Sequence, residues 1–107
     1  MKNAQAVLSV KFNSSHSLAD LQNTCQADLE KFRDVPGPMQ KYYLLEEATG
    51  AISGVYFFED KNARAAFWAS ELAASIPSRY LVVPGTLRAE EYDIAIVLND
   101  VPAVQAV

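Results

Sequence analysis

The chain has 107 residues, 50% of them hydrophobic and 21% charged, with thirteen acidic side chains against nine basic ones and a formal net charge of -4. That length supports one domain around a single core, and the ordinary composition excludes a disordered, fibrous or disulfide-stapled class. The basic residues are too few and too scattered to track a phosphate backbone, so nucleic acid is not an expected partner.

A membrane is not expected either, because no apolar run approaches the ~20 residues that cross a bilayer. Met1-Lys2-Asn3 leads into a short alternation rather than an apolar leader, so a cytoplasmic protein is expected. Cys25 alone cannot close an internal disulfide. With one His and one Cys, only scattered carboxylates would complete a ligand set, and no metal is expected.

From Gln5 to Phe12, QAVLSVKF sets Ala6, Leu8, Val10 and Phe12 against Val7, Ser9 and Lys11, the period-two pattern of a strand with two unlike faces. The polar break that follows offers Ser14, Ser15 or Ser17 as a helix cap. A helix is expected over Leu18 to Arg33, with Leu18, Leu21, Cys25, Leu29 and Phe32 toward the core and Asp20, Asp28 and Glu30 away from it. Asp34-Val35-Pro36-Gly37-Pro38 ends it, since proline removes amide donors and glycine permits a turn. Met39 to Glu47 and Ala51 to Glu59 read as a hairpin joined through Ala48-Thr49-Gly50, apolar on both faces.

Asp60 then caps a second helix, Lys61 to about Ser75, which Pro77 stops. Ala63, Ala66, Phe67, Ser70 and Ala74 form one stripe of it, with Trp68, Leu72 and Ile76 beside them. Ser78 to Thr86 is irregular and contains Pro84-Gly85. Leu87 to Leu98 alternates as a last strand, and Asn99 to Val107 is expected to be a loose tail.

The order β-α-β-β-α-β is that of the α+β ferredoxin-like fold: a four-stranded antiparallel sheet with two helices on one face, here a single domain over 1–107. Two helices leave the other sheet face open. A face rich in Tyr and Phe from the hairpin exceeds what a monomer usually exposes, so a homodimer with sheets face to face is expected.

Pro36-Gly37 before the second strand, Lys41 in a strand ending at Glu46, Gly50 in the turn, Gly54-Val55-Tyr56, the alanine-rich helix after Asp60 and Ser70-Glu71-Leu72 together resemble the dimeric α/β barrel superfamily, and more narrowly its YdhR-like mono-oxygenase family. The likeness runs from about Val7 to Leu98 and is most specific over Pro36 to Phe67. It implies a homodimer forming a dimeric α/β barrel, each subunit with a pocket between sheet and helices. It further implies a cofactor-independent mono-oxygenase acting on a small phenolic or quinone-forming aromatic, with no metal or organic cofactor. The alternative is a non-catalytic small-molecule-binding or structural homodimer of the same fold. Relatives with quinone-forming activity carry an Asn after the first strand, a Trp on the second helix and an Arg near the last strand. Asn13, Trp68 and either Arg79 or Arg88 occupy comparable places.

Such chemistry needs a base, a donor for the resulting anion and a dry aromatic cavity. His16 is the sole imidazole and a candidate base, or else a solvated loop residue. Tyr43 and Tyr56 offer donor phenols; alternation sends Tyr42 and Tyr43 to opposite faces, one to the pocket and one to the dimer interface. Trp68 and Phe67 offer aromatic walls, or plain core packing. Arg79, next to Tyr80, lies in the segment expected to form a lid or reach the partner. Lys41 with Glu46 and Glu47 can supply acid and base groups, or form cross-strand pairs at a wet edge. The expected cavity lies over the small residues of the second helix.

Overall fold

In the computed structural model, which describes residues 4–33 and 38–96, strand β1 (Ala6–Phe12) lies inside a sheet ordered β2-β3-β1-β4. All three pairings are antiparallel. The other strands are β2 (Pro38–Leu45), β3 (Ile52–Phe58) and β4 (Arg88–Asp93). This is the ferredoxin-like arrangement that the element order implies. The expected loose tail, positions 97 and 98 of the last strand and the Asp34 to Gly37 break lie outside the described residues.

Alternation places Ala6, Leu8, Val10 and Phe12 of β1 on one face, together with Ile52, Tyr56 and Phe58 of β3, all buried. Register adds Lys41 opposite Tyr56 and Tyr43 opposite Gly54, so both join that face. The open face carries Val7, Tyr42, Leu44, Val55, Phe57 and Tyr92. The hairpin turns through Glu46 to Ala51: Gly50 sits at φ 73°, a left-handed conformation that glycine adopts without strain, and its amide reaches the Glu46 carbonyl at 2.8 Å.

Helix α1 spans Leu18–Arg33, as the periodicity predicts, with Ser17 as its cap: Ser17 Oγ accepts from the Asp20 amide at 3.2 Å. Its inward face differs from expectation. Leu21 and Asp28 are buried and Cys25 half-buried, whereas Leu18 is 53% exposed and Leu29 37%. The face at steps of four and three from Leu21 meets the sheet, and Asp28 lies on it.

The single helix expected from Lys61 to Ser75 is three pieces: α2 (Lys61–Trp68), α3 (Glu71–Ala74) and α4 (Ile76–Arg79). Asp60 caps α2 as expected, accepting from the Ala63 amide at 2.8 Å. Ser70 makes the first break. Its extended backbone lets Oγ donate to the Phe67 carbonyl at 2.6 Å and accept from the Ala73 amide at 3.2 Å, closing one helix and opening the next. Pro77 does not stop a helix but sits in the first turn of α4, where its missing amide costs nothing. Ala66 of α2 faces solvent beside the buried Phe67, and beyond the break Ala74 is exposed while Ala73, Ile76 and Tyr80 are buried.

Strand β4 ends at Asp93, shorter than the alternation to Leu98 suggests among the described residues, and all six of its side chains are exposed. Arg64 of α2, 7% exposed, ties β4 to the sheet by donating to the Tyr92 carbonyl at 2.8 Å and approaching Asp93 at 3.3 Å. After α4 the chain runs beside the β1–α1 connection: the Ser15 amide donates to Leu81 at 2.8 Å, and the Val83 amide to Asn13 at 2.8 Å.

Candidate active site

Helix α2 packs on β1, β2 and β3. Phe67 fills that space, its ring 4.8 Å from Tyr56 and 5.8 Å from Phe58, both tilted. The cavity expected over the alanines is therefore closed by aromatic rings. The open volume lies elsewhere, between α1 and the β2 edge of the sheet.

There a cleft of about 590 Å³ is walled by Leu18, Leu21 and Cys25 of α1 and by Tyr43, Leu45 and Ile52 of the hairpin, with the polar Gln22, Asn23 and Gln26 along its rim. That is a size typical of small-molecule sites. A void of about 10 Å³ lies deeper, against Gly54, Tyr56 and Tyr80. Tyr43 and Ile52 border both spaces. Gly54 leaves room here for the Tyr56 ring, since an added Cβ would stand 3.1 Å from it and the ring would have to give by a few tenths of an ångström.

A chain of polar groups runs inward from Tyr43. Asp28, 1% exposed, is paired with Arg79 Nη1 and accepts the hydroxyl proton of Tyr80 on the same carboxylate oxygen. The Tyr80 hydroxyl is 3.0 Å from that of Tyr43, and Lys41 Nζ donates to Tyr43 Oη at 2.6 Å. One proton per hydroxyl fixes the order: Tyr80 gives its proton to Asp28, so it accepts from Tyr43, which accepts from Lys41. Arg79 is held in place by Ser75 Oγ at 2.6 Å and the Leu72 carbonyl at 3.0 Å. The short helices α3 and α4 thus deliver Arg79 and Tyr80 to the interior, and the expected lid turns inward.

Lys41 Nζ also lies over the rings of Tyr43 and Tyr56, 4.1 and 4.5 Å from their centroids. Burial drives its pKa down to about 7, against the pull of Asp28 and Cys25, while the like charge of Arg79 pushes the same way as burial. Near neutrality the amine is half deprotonated. Burial raises the pKa of Tyr43, Tyr56 and Tyr80, with the Asp28 bond adding to the effect at Tyr80, so these phenols stay protonated donors. Burial likewise raises the Cys25 thiol.

Of the residues that the sequence suggests, the structure brings Tyr43, Tyr56 and Arg79 into one cluster. His16 stands behind it, Nε2 3.0 Å from the Arg79 carbonyl. The Asn13 side chain is exposed and its backbone is tied to Val83 and Thr86. Trp68 is half-buried against the core and Phe67 fully buried. Asp28, expected on the outward face of α1, instead reaches the cluster, and Lys41, expected to supply an acid or base group with Glu46 and Glu47 or to pair across strands at a wet edge, meets Tyr43 and not Glu46. The Leu21-Cys25-Asp28 spacing and the Lys41-Tyr43 alternation were the available signals.

Several solved structures share this architecture. A protein of unknown function from Nitrosomonas europaea superimposes with a TM-score of 0.73 at 14% identity, over 94% of this chain and 99% of that one. A monooxygenase from the gene ActVA-Orf6 of Streptomyces coelicolor, in complex with nanaomycin D, gives 0.67 at 19% identity over 92% and 94%. SnoaB, a cofactor-independent oxygenase from Streptomyces nogalater, gives 0.63 at 11% over 91% and 97%. The chain shares the ferredoxin-like fold of these structures. At such identities the likeness is one of fold, and the narrower YdhR-like likeness and the dimer stay expectations. No family model matches the chain, and no curated protein matches it. Among the described residues no helix is long and apolar enough to cross a membrane.

Proposed function

We propose that the chain is a cofactor-independent mono-oxygenase acting on a small phenolic or quinone-forming aromatic bound between α1 and β2. The observation that carries the reading is the cleft of about 590 Å³ ending on Tyr43, with the Lys41 amine hydrogen-bonded behind it. Two fold neighbours described as a monooxygenase and a cofactor-independent oxygenase support it. The phenol meets Tyr43, and its proton passes through the Tyr43 hydroxyl to the neutral amine of Lys41 hydrogen-bonded behind it, giving an electron-rich anion that can reduce dioxygen. One oxygen atom enters the substrate and the other leaves as water; the two hydrogens in that water come from the substrate, which ends as a quinone, so one dioxygen is consumed per turnover and no outside reductant is needed. The buried Leu21 and Ile52 give the cleft an apolar inner wall against which the aromatic ring packs. Arg79 and Asp28 hold the tyrosine pair in place, and His16 braces the Arg79 backbone.

In the same reading two copies pack through their open sheet faces. Support comes from Tyr42, Leu44 and Tyr92, which are 46%, 52% and 51% exposed on that face. The test of the activity is oxygen uptake with hydroquinones and anthrone-like phenols in metal-free buffer. Uptake that is lost in Lys41→Met and Tyr43→Phe is expected. No uptake above background across the panel would leave the non-catalytic binding dimer as the better reading.

A further inference from the structure

Two spaces adjoin on the inner face of the sheet. The cleft is large enough for an organic ring, whereas the void behind it, about 10 Å³, has room for a single guest the size of a water or a diatomic and for nothing larger. Tyr43 and Ile52 border both, so a guest in the void lies one side chain away from a ligand in the cleft. We propose that the void is a holding site for dioxygen, beside the place where the substrate anion forms. The inference rests on the oxygenase reading for the use of that gas, not for its binding.

The lining favours dioxygen over water. Val10 and Phe12 of β1, Ile52 and Gly54 of β3 and Ile76 of α4 offer the guest no side-chain hydrogen-bonding group. The hydroxyls of Tyr43 and Tyr80, which also border the void, are engaged with each other, with Lys41 and with Asp28. A buried water keeps its place with about three hydrogen bonds and is poorly held here, while an apolar diatomic gives up none on entering. The floor of the void is fixed, because β1 and β3 pair from Ala6 and Phe58 through to Phe12 and Ile52. Gly54 keeps it open: a Cβ at that position would project toward the Tyr56 ring, 3.1 Å away, and occupy the space between. Entry needs no new passage, since a gas that has reached the cleft has only Tyr43 and Ile52 to pass.

The whole protein, labelled with carbon-13 at the methyls of isoleucine, leucine and valine, is placed under pressurised dioxygen and then under nitrogen at the same pressure. Dioxygen is paramagnetic, so methyl relaxation quickens steeply where the gas comes near. Val10 and Ile76 border the void but not the cleft, and their methyls should show an enhancement several times that of Leu8, which is fully buried and borders neither. Gly54→Ala, checked for fold by circular dichroism, puts a methyl into the void and should remove the enhancement at Val10 and Ile76 while leaving that of Leu21 in the cleft. Should that variant not fold, the comparison with Leu8 in the unaltered protein decides. An enhancement at Val10 and Ile76 no greater than at Leu8 overturns the proposal. So does magnetisation passing from water to those two methyls, which marks the void as a water site. Neither result needs turnover, so the holding site stands or falls apart from the oxygen-uptake assay. Where uptake is seen, Gly54→Ala should also raise the KM for dioxygen severalfold and leave that for the phenol unchanged.

Discussion

The hydroxyls of Tyr43 and Tyr80 meet at 3.0 Å, joining an edge strand at the cleft to a buried carboxylate on the far helix. Tyr43 is half-buried and Tyr80 buried, so the contact links the ligand-accessible surface to the ion pair beneath it. Its value depends on the charge state of Lys41 at one end and on the integrity of Asp28 and Arg79 at the other.

Lys41 should make stability rise with pH above neutrality. Its native pKa of about 7 lies below the ordinary 10.5 of the unfolded chain. Below pH 7 it is charged in both states, and burying that charge opposes folding in full. Between pH 7 and 10.5 the folded form is already neutral while the unfolded form still binds a proton, so the penalty fades. Lys41→Met should therefore be more stabilising, relative to the parent, at pH 6 than at pH 9.5, by an amount on the order of a few kcal/mol. Urea midpoints at the two pH values measure this; a gap that stays constant refutes it.

Asp28→Asn removes the anion that holds both Arg79 and Tyr80 and should cost about 3 kcal/mol or more, since it strands a partly buried guanidinium. The double replacement Asp28→Leu with Arg79→Met should recover a good part of that loss, because two matched apolar groups replace two desolvated charges. A double variant no better than Asp28→Asn in denaturant would show that the pair itself is not the source.

Ser70→Ala should cost about 1 kcal/mol, the usual loss of an N-cap, because Oγ both accepts from Ala73 and donates to Phe67. Thermal unfolding reads the change. A neutral substitution would mean that the α2–α3 break holds without it.

Gln22 is exposed on the rim of the cleft, so Gln22→Trp should crowd the entrance without touching the core. An unchanged melting temperature with KM raised about tenfold or more is expected for whichever substrate the oxygen assay identifies. A variant with unaltered KM would place the substrate elsewhere.

Tyr42→Glu with Leu44→Glu puts two carboxylates on the open sheet face, where both side chains are about half exposed in the single subunit. Sedimentation should change from a dimer to a species of 11.8 kDa, with secondary structure retained. A parent that already sediments as a monomer at micromolar concentration ends the dimer reading.

The strands and α1 were legible because period-two and period-3.6 patterns are set by backbone geometry alone. The tyrosine alternation was legible for the same reason: Tyr42 faces outward and Tyr43 inward. Helix continuity after Trp68 was not, because Ser70 serves equally well inside an alanine-rich helix or as the cap of a new one, and the packing of Phe67 and Ile76 decides between them. Asp28 was misplaced since an aspartate is costly to bury alone. Only its partners Arg79 and Tyr80, about fifty residues away in sequence, make its position on the inner face affordable.

Because the chain after α4 is stitched by backbone hydrogen bonds to the loop that starts α1, while Arg79 and Tyr80 grip α1 again at Asp28, that helix is anchored at two points along its length. Swinging α1 outward to admit a bulkier guest must pull the carboxylate from its two donors. The width of the cleft and the state of the ion pair are thus one mechanical variable, with the backbone stitch as hinge and Asp28 as latch.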